Sequence, residues 1–124
     1  MSYTIINTQI AQICEHGNLQ SLADFFDANG FDEINEALVW ASLYGRREMV
    51  EYLLEIGADV NYNDSEPLKT VLEEIYVIGH NPNKNDKIKT LIKIGHVLLQ
   101  RGAQITQCMV ETGLIKKMGG VFGL

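Results

Sequence analysis

The hydrophobic pattern of this chain is clearest in its middle, between residues 37 and 61. Small and apolar residues from Ala37 to Tyr44 end at Gly45, where glycine can take the left-handed conformation that turns a chain after a helix. Apolar residues then recur at i, i+1, i+4 and i+5, which is one face of a helix: Met49, Val50, Leu53 and Leu54. The pattern predicts two short helices that end at Gly45 and Gly57.

Weaker copies of this pattern lie on both sides. Upstream, four residues hold the positions of Leu38, Ala41, Ser42 and Gly45: Ile10, Ile13, Cys14 and Gly17. Downstream, Pro67 aligns with Ala37, and Gly102–Ile105 echoes Gly57–Val60. The copies predict repeats at about residues 5–31, 32–64 and 65–105, the third being about 15 residues longer than the others. A closing helix is expected at about 106–118 and a tail at 119–124.

The segment from Val50 to Asn61 resembles the second half of an ankyrin repeat, because it has the family's second helix and its Gly-Ala-Asp-Val-Asn exit. The family's opening Thr-Pro-Leu-His is replaced by Glu-Ala-Leu-Val at residues 36–39. The resemblance implies an all-α fold, an ankyrin-type α-solenoid of stacked antiparallel helix pairs with shortened inter-repeat loops and a C-terminal capping helix. We expect one domain at 1–124, since stacked pairs share one core. After Asn61 an extended, turn-rich stretch is expected to end at Pro67.

Composition is that of an ordinary globular protein, with 46% hydrophobic and 21% charged residues. The N-terminus lacks the basic stretch and apolar block of a signal peptide, and no apolar run approaches the length of a spanning helix. Cys14 and Cys108 lie within apolar helical patterns and are expected to be buried, reduced thiols. These features favour a cytoplasmic protein with no membrane partner.

The net charge of −6 is unevenly distributed along the chain. Residues 1–83 hold fourteen acidic and three basic residues, a net charge of −11, whereas residues 84–124 carry +5. The acidic part should repel phosphate backbones and attract a basic surface. The basic part could contact nucleic acid, but four of its lysines are spaced like a solvated helix face: Lys84, Lys87, Lys89 and Lys93. We therefore expect no nucleic-acid partner.

No motif for metal, cofactor or catalytic chemistry stands out. Asn81, Asn83 and Asn85 alternate like the start of a calcium loop, but Asp86 and Ile92 replace its required glycine and glutamate. The three histidines are too scattered for a zinc site, and Gly119–Gly123 lacks the lysine of a phosphate loop. The adjacent carboxylates of residues 73 and 74 should diverge by about 100° around a helix. The sequence therefore predicts no cofactor, no metal and no enzyme.

The resemblance places a partner-binding groove along the first helices, where the two residues before each turn glycine face the groove. Carried over to this chain, these are Glu15, His16, Leu43, Tyr44, Glu73 and Glu74, although the third copy has Ile75 where the glycine belongs. The second inter-repeat connection and a neighbouring basic residue extend the candidate site: Arg47, Tyr62, Asp64 and Glu66. Three alternatives remain open: Leu43 and Tyr44 could pack against the next repeat, Trp40 could belong to the core, and Arg46 and Arg47 could form internal ion pairs.

The predicted function is a non-catalytic protein–protein interaction module, monomeric when free. The acidic imbalance favours an immunity- or inhibitor-type protein that masks a basic partner such as a toxin or nuclease. The alternative is an adaptor, scaffold or host-directed effector that assembles a larger complex. Salt separates the two, because screening slows an electrostatic association and has little effect on an apolar contact.

Overall fold

The computed structural model describes residues 2–79 and 81–122, and within these the side chains of residues 9–79, 81–117, 120 and 122. Our expectations for His80, Gly123 and Leu124, and for the side chain of Val121, lie outside this part of the chain. The helices are α1 (Ser2–His16), α2 (Leu19–Asn29), α3 (Ile34–Leu43), α4 (Arg47–Glu55), α5 (Tyr62–Ile78), α6 (Asn85–Gln100), α7 (Gln107–Glu111) and α8 (Leu114–Phe122), with a short 3₁₀ turn at Pro82–Lys84. The described residues contain no strand, so the all-α fold class is confirmed.

The contacts between helices follow the order expected of stacked pairs. α1 contacts α2, α3 contacts α4, and α5 contacts α6. Between pairs, α1 contacts α3 and α3 contacts α5, while α2 contacts α4 and α4 contacts α6. α8 contacts both α5 and α6. The boundaries of the three repeats stay a prediction.

Small residues allow α3 to pack between α1 and α5. Ala37, Ala41 and Ser42 are fully buried, as is Leu38 on the same helix. The hydroxyl of Ser42 donates a hydrogen bond of 2.8 Å to the carbonyl oxygen of Leu38, so this buried polar group is satisfied. The amphipathic α4 buries Met49, Val50 and Leu53, as its spacing predicts.

The turns after α3 and α4 use the predicted glycines. Gly45 has a φ of 72° and Gly57 a φ of 113°, a region that residues with a Cβ rarely adopt. The connections are short: residues 30–33 join α2 to α3, and residues 56–61 join α4 to α5.

The expectation of an extended stretch between Asn61 and Pro67 is wrong. Asn63, Asp64 and Ser65 form a left-handed turn with φ between 51° and 60°, and Pro67 lies within the α5 segment. Asn61 holds this turn, because its amide oxygen accepts hydrogen bonds from the Ser65 hydroxyl at 2.6 Å and from the backbone N–H of Gln104 at 2.8 Å. Asparagine and aspartate tolerate left-handed geometry better than most residues.

The expectation of one closing helix at about 106–118, stopped by Gly119 and Gly120, is also wrong. Gly113 has a φ of 79° and separates α7 from α8, and α8 continues through both later glycines to Phe122. Phe122 is buried against α6. A Cβ added at Gly95 would lie only 2.4 Å from the Phe122 ring, so glycine gives the ring room.

Candidate acidic groove between two helices

One wall of the candidate site is a stripe of α3 residues at i, i+3, i+4 and i+7. These residues share one helix face and are all half-buried: Glu36, Val39, Trp40 and Leu43. Side chains at these spacings are neighbours on the helix surface. The stripe therefore begins with the acidic Glu36 and continues with three apolar residues. Trp40 lies in this stripe and also packs against the core.

The facing wall comes from α5 and the left-handed turn at its start. Six residues line it: Tyr62, Asn63, Glu66, Thr70, Glu73 and Glu74. Together the two walls enclose a groove of about 500 Å³, which we call the acidic groove. Five of the ten residues predicted for the partner site lie in it: Leu43, Tyr62, Glu66, Glu73 and Glu74.

Neutral donors fix two of the four groove carboxylates. The Tyr62 hydroxyl donates a hydrogen bond of 2.5 Å to Glu36 Oε1, which joins the two walls. The Asn63 amide donates one of 2.8 Å to Glu66 Oε1. A neutral donor orients a carboxylate without cancelling its charge, and the Lys69 amine also interacts electrostatically with Glu66.

The carboxylate of Glu74 forms an ion pair with a lysine of α6. Lys87 on α6 places its Nζ 3.7 Å from Glu74 Oε1, and both side chains are partly buried. Glu73 is exposed. The adjacent residues that the sequence treated as a pair therefore differ, and Glu73 is the better placed to meet a partner.

Leu43 and Tyr44, which we expected to act together, diverge in the structure. Leu43 lines the acidic groove, whereas the Tyr44 ring stacks on Trp40 with the ring centroids 6.0 Å apart and an angle of 14° between the rings. Tyr44 packs partly against the core. Burial and the nearby charge of Glu15 raise the pKa of the Tyr44 hydroxyl. Tyr44 therefore supports the groove from behind Trp40 and does not line it.

Glu15 and His16 lie in a separate cleft between α1 and α2. The Nε2 atom of His16 is 3.3 Å from Oε1 of Glu15, and both side chains are exposed. The structure does not bring this predicted pair into the acidic groove.

The two arginines at the start of α4 are both engaged inside the chain. Arg46 donates hydrogen bonds to the carbonyl oxygens of Cys14, at 2.8 Å, and Glu15. A cation at these carbonyls also complements the dipole at the end of α1. Arg47 pairs with Glu51 one turn along α4, with Nε and Oε1 3.1 Å apart. The internal pairing that the sequence left open is therefore found, although Arg46 binds carbonyl groups and not a carboxylate.

A smaller cleft of about 230 Å³ adjoins the acidic groove and contains Asp64. Glu66 and Glu73 line both cavities. Lys69 also lines this cleft, where a hydrogen bond and an electrostatic interaction with Cys108 and the charges of Glu73 and Glu66 raise the pKa of its amine. Asp64 therefore lies beside the groove, on the far side of the Glu66–Glu73 edge.

Within the part of the chain that the structure describes, no three His, Cys, Asp or Glu side chains are grouped so that they could hold a metal ion. None of the helices at residues 2–79 and 81–122 combines the length and the apolar character needed to cross a membrane.

Residues 33–61, which include the α3 wall of the groove and all of α4, match the family model of the ankyrin repeat. This segment is an ankyrin repeat. A stretch of 36 residues is 56% identical to the E3 ubiquitin-protein ligase Ufd4 of Drosophila melanogaster, and it covers 28% of this chain and 1% of that protein. No solved structure matches the chain. An ankyrin repeat is a protein–protein interaction module, so the groove lies on a fold that binds proteins.

Proposed function

We propose that this chain is a non-catalytic module that holds a basic surface of another protein in the acidic groove. The observation that carries the proposal is the groove's composition. Four glutamates line it together with the apolar residues Val39, Trp40 and Leu43 of the α3 wall. Protein interfaces commonly combine an aromatic or aliphatic anchor with a polar rim.

The walls of the groove are held in place before a partner arrives. The hydrogen bond between Tyr62 and Glu36 ties α5 to α3. Asn61 ties the turn at the start of α5 to the loop after α6, through the carbonyl oxygen of Gly102 at 3.1 Å and the N–H of Gln104. A preformed surface loses little conformational entropy on binding, which favours affinity.

Charge supports a basic partner. Residues 1–83 carry a net charge of −11 and supply every carboxylate of the groove. A field of this sign accelerates encounter with a cationic surface and slows encounter with nucleic acid. An inhibitor- or immunity-type role is our proposal for the biological purpose: the chain masks a basic toxin or nuclease in the cytoplasm, and it is a monomer when free.

A second candidate is an adaptor, and one observation favours it. Lys89 and Lys93 are exposed on α6, on the helix layer that does not form the groove. A chain with an acidic groove on one layer and exposed lysines on the other could hold two partners of opposite charge. Loss of both lysines would then remove one class of partner and leave the groove partner bound.

Affinity capture with matched variants tests the leading proposal. The chain and two double variants are immobilised, one with Glu66→Gln and Glu73→Gln in the groove, the other with Glu48→Gln and Glu55→Gln on α4. Both variants lose two exposed or half-buried carboxylates, and the α4 pair lies outside the groove. We expect the wild type and the α4 variant to enrich the same basic protein, and the groove variant to lose it. Equal enrichment by all three would refute the proposal.

A further inference from the structure

The acidic groove has an order along its length. Glu36 and Glu66 are bonded to Tyr62 and Asn63 at the left-handed end of the groove, and Glu73 lies two helical turns further along α5. Between the two ends, Val39 and Trp40 line the α3 wall and Thr70 lines the α5 wall. A ligand that lies along the groove therefore meets negative charge, then an apolar surface, then negative charge again.

The distance between the two charged ends follows from helix geometry. Glu66 and Glu73 are seven residues apart on the regular part of α5, which begins after Ser65. At the α-helical rise, their α-carbons are about 10 Å apart along the helix axis. In an extended segment of polyproline II geometry, two residues three positions apart lie on the same side of the chain and about 9 Å apart.

The size of the groove favours an extended segment over a helix. Its volume of about 500 Å³ lies in the range of pockets that hold one small ligand. An α-helix with its side chains is about 10–12 Å across, so a length of about 10 Å occupies roughly 900 Å³, more than the groove holds. A short extended stretch of chain, with a few side chains, fits it better.

We propose that the groove binds an extended partner segment in which two arginines are three positions apart, with an apolar residue between them. This proposal rests on the proposed function and specifies its ligand. One guanidinium binds Glu66 and the other binds Glu73. The apolar side chain between them packs against Trp40 on the α3 wall. The match between the two spacings selects this pattern over other basic sequences.

Arginine suits these positions better than lysine for two reasons. Its planar guanidinium can donate two parallel hydrogen bonds to one carboxylate. Glu66 is already oriented by Asn63, and a carboxylate that accepts one hydrogen bond can accept more. The guanidinium plane can also pack against an aromatic ring, and Trp40 lies on the α3 wall of the groove.

Trp40 makes the test direct, because the chain has one tryptophan. Its fluorescence is titrated at low salt with the peptide acetyl-Arg-Leu-Ala-Arg-amide and with acetyl-Arg-Arg-Leu-Ala-amide, which has the same composition and charge but adjacent arginines. We expect the first peptide to bind at least about fivefold more tightly, since only its arginines reach both ends at once. Equal affinities would overturn the spacing proposal.

Variants separate this proposal from general charge attraction. Glu66→Gln and Glu73→Gln should each weaken the spaced peptide about three- to tenfold and bring the two peptides to similar affinity. Glu55→Gln, at an exposed position on α4, should leave the preference intact. If Glu55→Gln removed the preference as completely as Glu73→Gln does, the ligand pattern would be wrong.

The outcome is also distinguishable from failure of the proposed function. A natural partner that is captured through the groove, but whose binding the spaced peptide does not compete better than the adjacent one, would overturn the spacing and leave the function standing. A partner that the groove variants capture as well as the wild type does would overturn both the spacing proposal and the proposed function.

Discussion

The buried hydroxyl of Ser65 donates a hydrogen bond of 2.6 Å to the side-chain oxygen of Asn61. The same Asn61 side chain binds the backbone of Gly102 and Gln104, more than forty residues further along the chain. A single carboxamide thus holds the left-handed turn and joins it to the loop after α6. The left-handed turn at the start of the α5 wall therefore depends on this residue.

Asn61→Ala should destabilise the protein by about 2–4 kcal/mol, because it removes three hydrogen bonds and leaves the buried Ser65 hydroxyl without its acceptor. Urea denaturation followed by circular dichroism measures this change. Asn85→Ala, at an exposed position, is the control and should change stability by less than about 0.5 kcal/mol. Equal effects of the two substitutions would mean that the Asn61 contacts do not hold the turn.

The contact between Gly95 and Phe122 predicts that Gly95→Ala has opposite effects on stability in the presence and in the absence of the Phe122 ring. In the wild type, Gly95→Ala should destabilise by about 1–3 kcal/mol, because the new methyl group would lie 2.4 Å from the Phe122 ring. In a Phe122→Ala background the clash is absent, and the same substitution should stabilise by up to about 1 kcal/mol through helix propensity. A double-mutant cycle of urea midpoints checks this prediction, and additive effects would contradict the packing of α8 on α6.

The two cysteines should differ in reactivity. Burial raises the pKa of the Cys14 thiol to about 12, although Arg46 partly opposes the rise. The expectation that Cys108 is buried is wrong, because Cys108 is exposed beside Lys69 on the short helix α7. Iodoacetamide at pH 8 should label Cys108 and spare Cys14 until denaturant is added, since the thiolate is the reactive form. Peptide mapping reads the sites, and rapid labelling of Cys14 in the native protein would contradict its burial.

The same shift predicts a loss of stability in alkali. The folded pKa of Cys14 lies above the ordinary value of 9.0, so both states hold the proton below pH 9 and the unfolded state releases it first above that pH. Between about pH 9 and 12 the free energy of unfolding should fall by up to about 1.4 kcal/mol per pH unit from this group. Cys14→Ala should show a shallower decline in the same urea titrations, and identical slopes would contradict the assignment.

The helices nearest the ankyrin signature could be predicted from sequence because local rules determine them. The spacing of Met49, Val50 and Leu53 gives the buried face of α4, and Gly45 and Gly57 take the left-handed conformation that ends its flanking turns. The left-handed turn at residues 63–65 was not predictable in this way. It is held by Asn61 through Gly102 and Gln104, and no local pattern reveals such distant contacts.

The groove was found in part, and the errors have a geometric cause. Carrying over the last two residues of each first helix gave Leu43 correctly, but Tyr44 lies about 100° further round the helix and stacks behind Trp40. Glu36 and Val39 were missed although the i, i+3, i+4, i+7 stripe that contains them can be read from the sequence. The position of Glu74 relative to Lys87 needed the packing of α5 on α6.

The most direct test of the account is the association rate of the captured basic partner with wild type and with Glu73→Lys, measured at low salt. Glu73 is exposed, so the melting temperature should stay unchanged, and Glu55→Lys on α4 is the control for net charge. We predict that Glu73→Lys slows association at least about tenfold relative to Glu55→Lys, because it places a positive charge at one end of the groove. Equal rates for the two variants would contradict the claim that the acidic groove holds the partner.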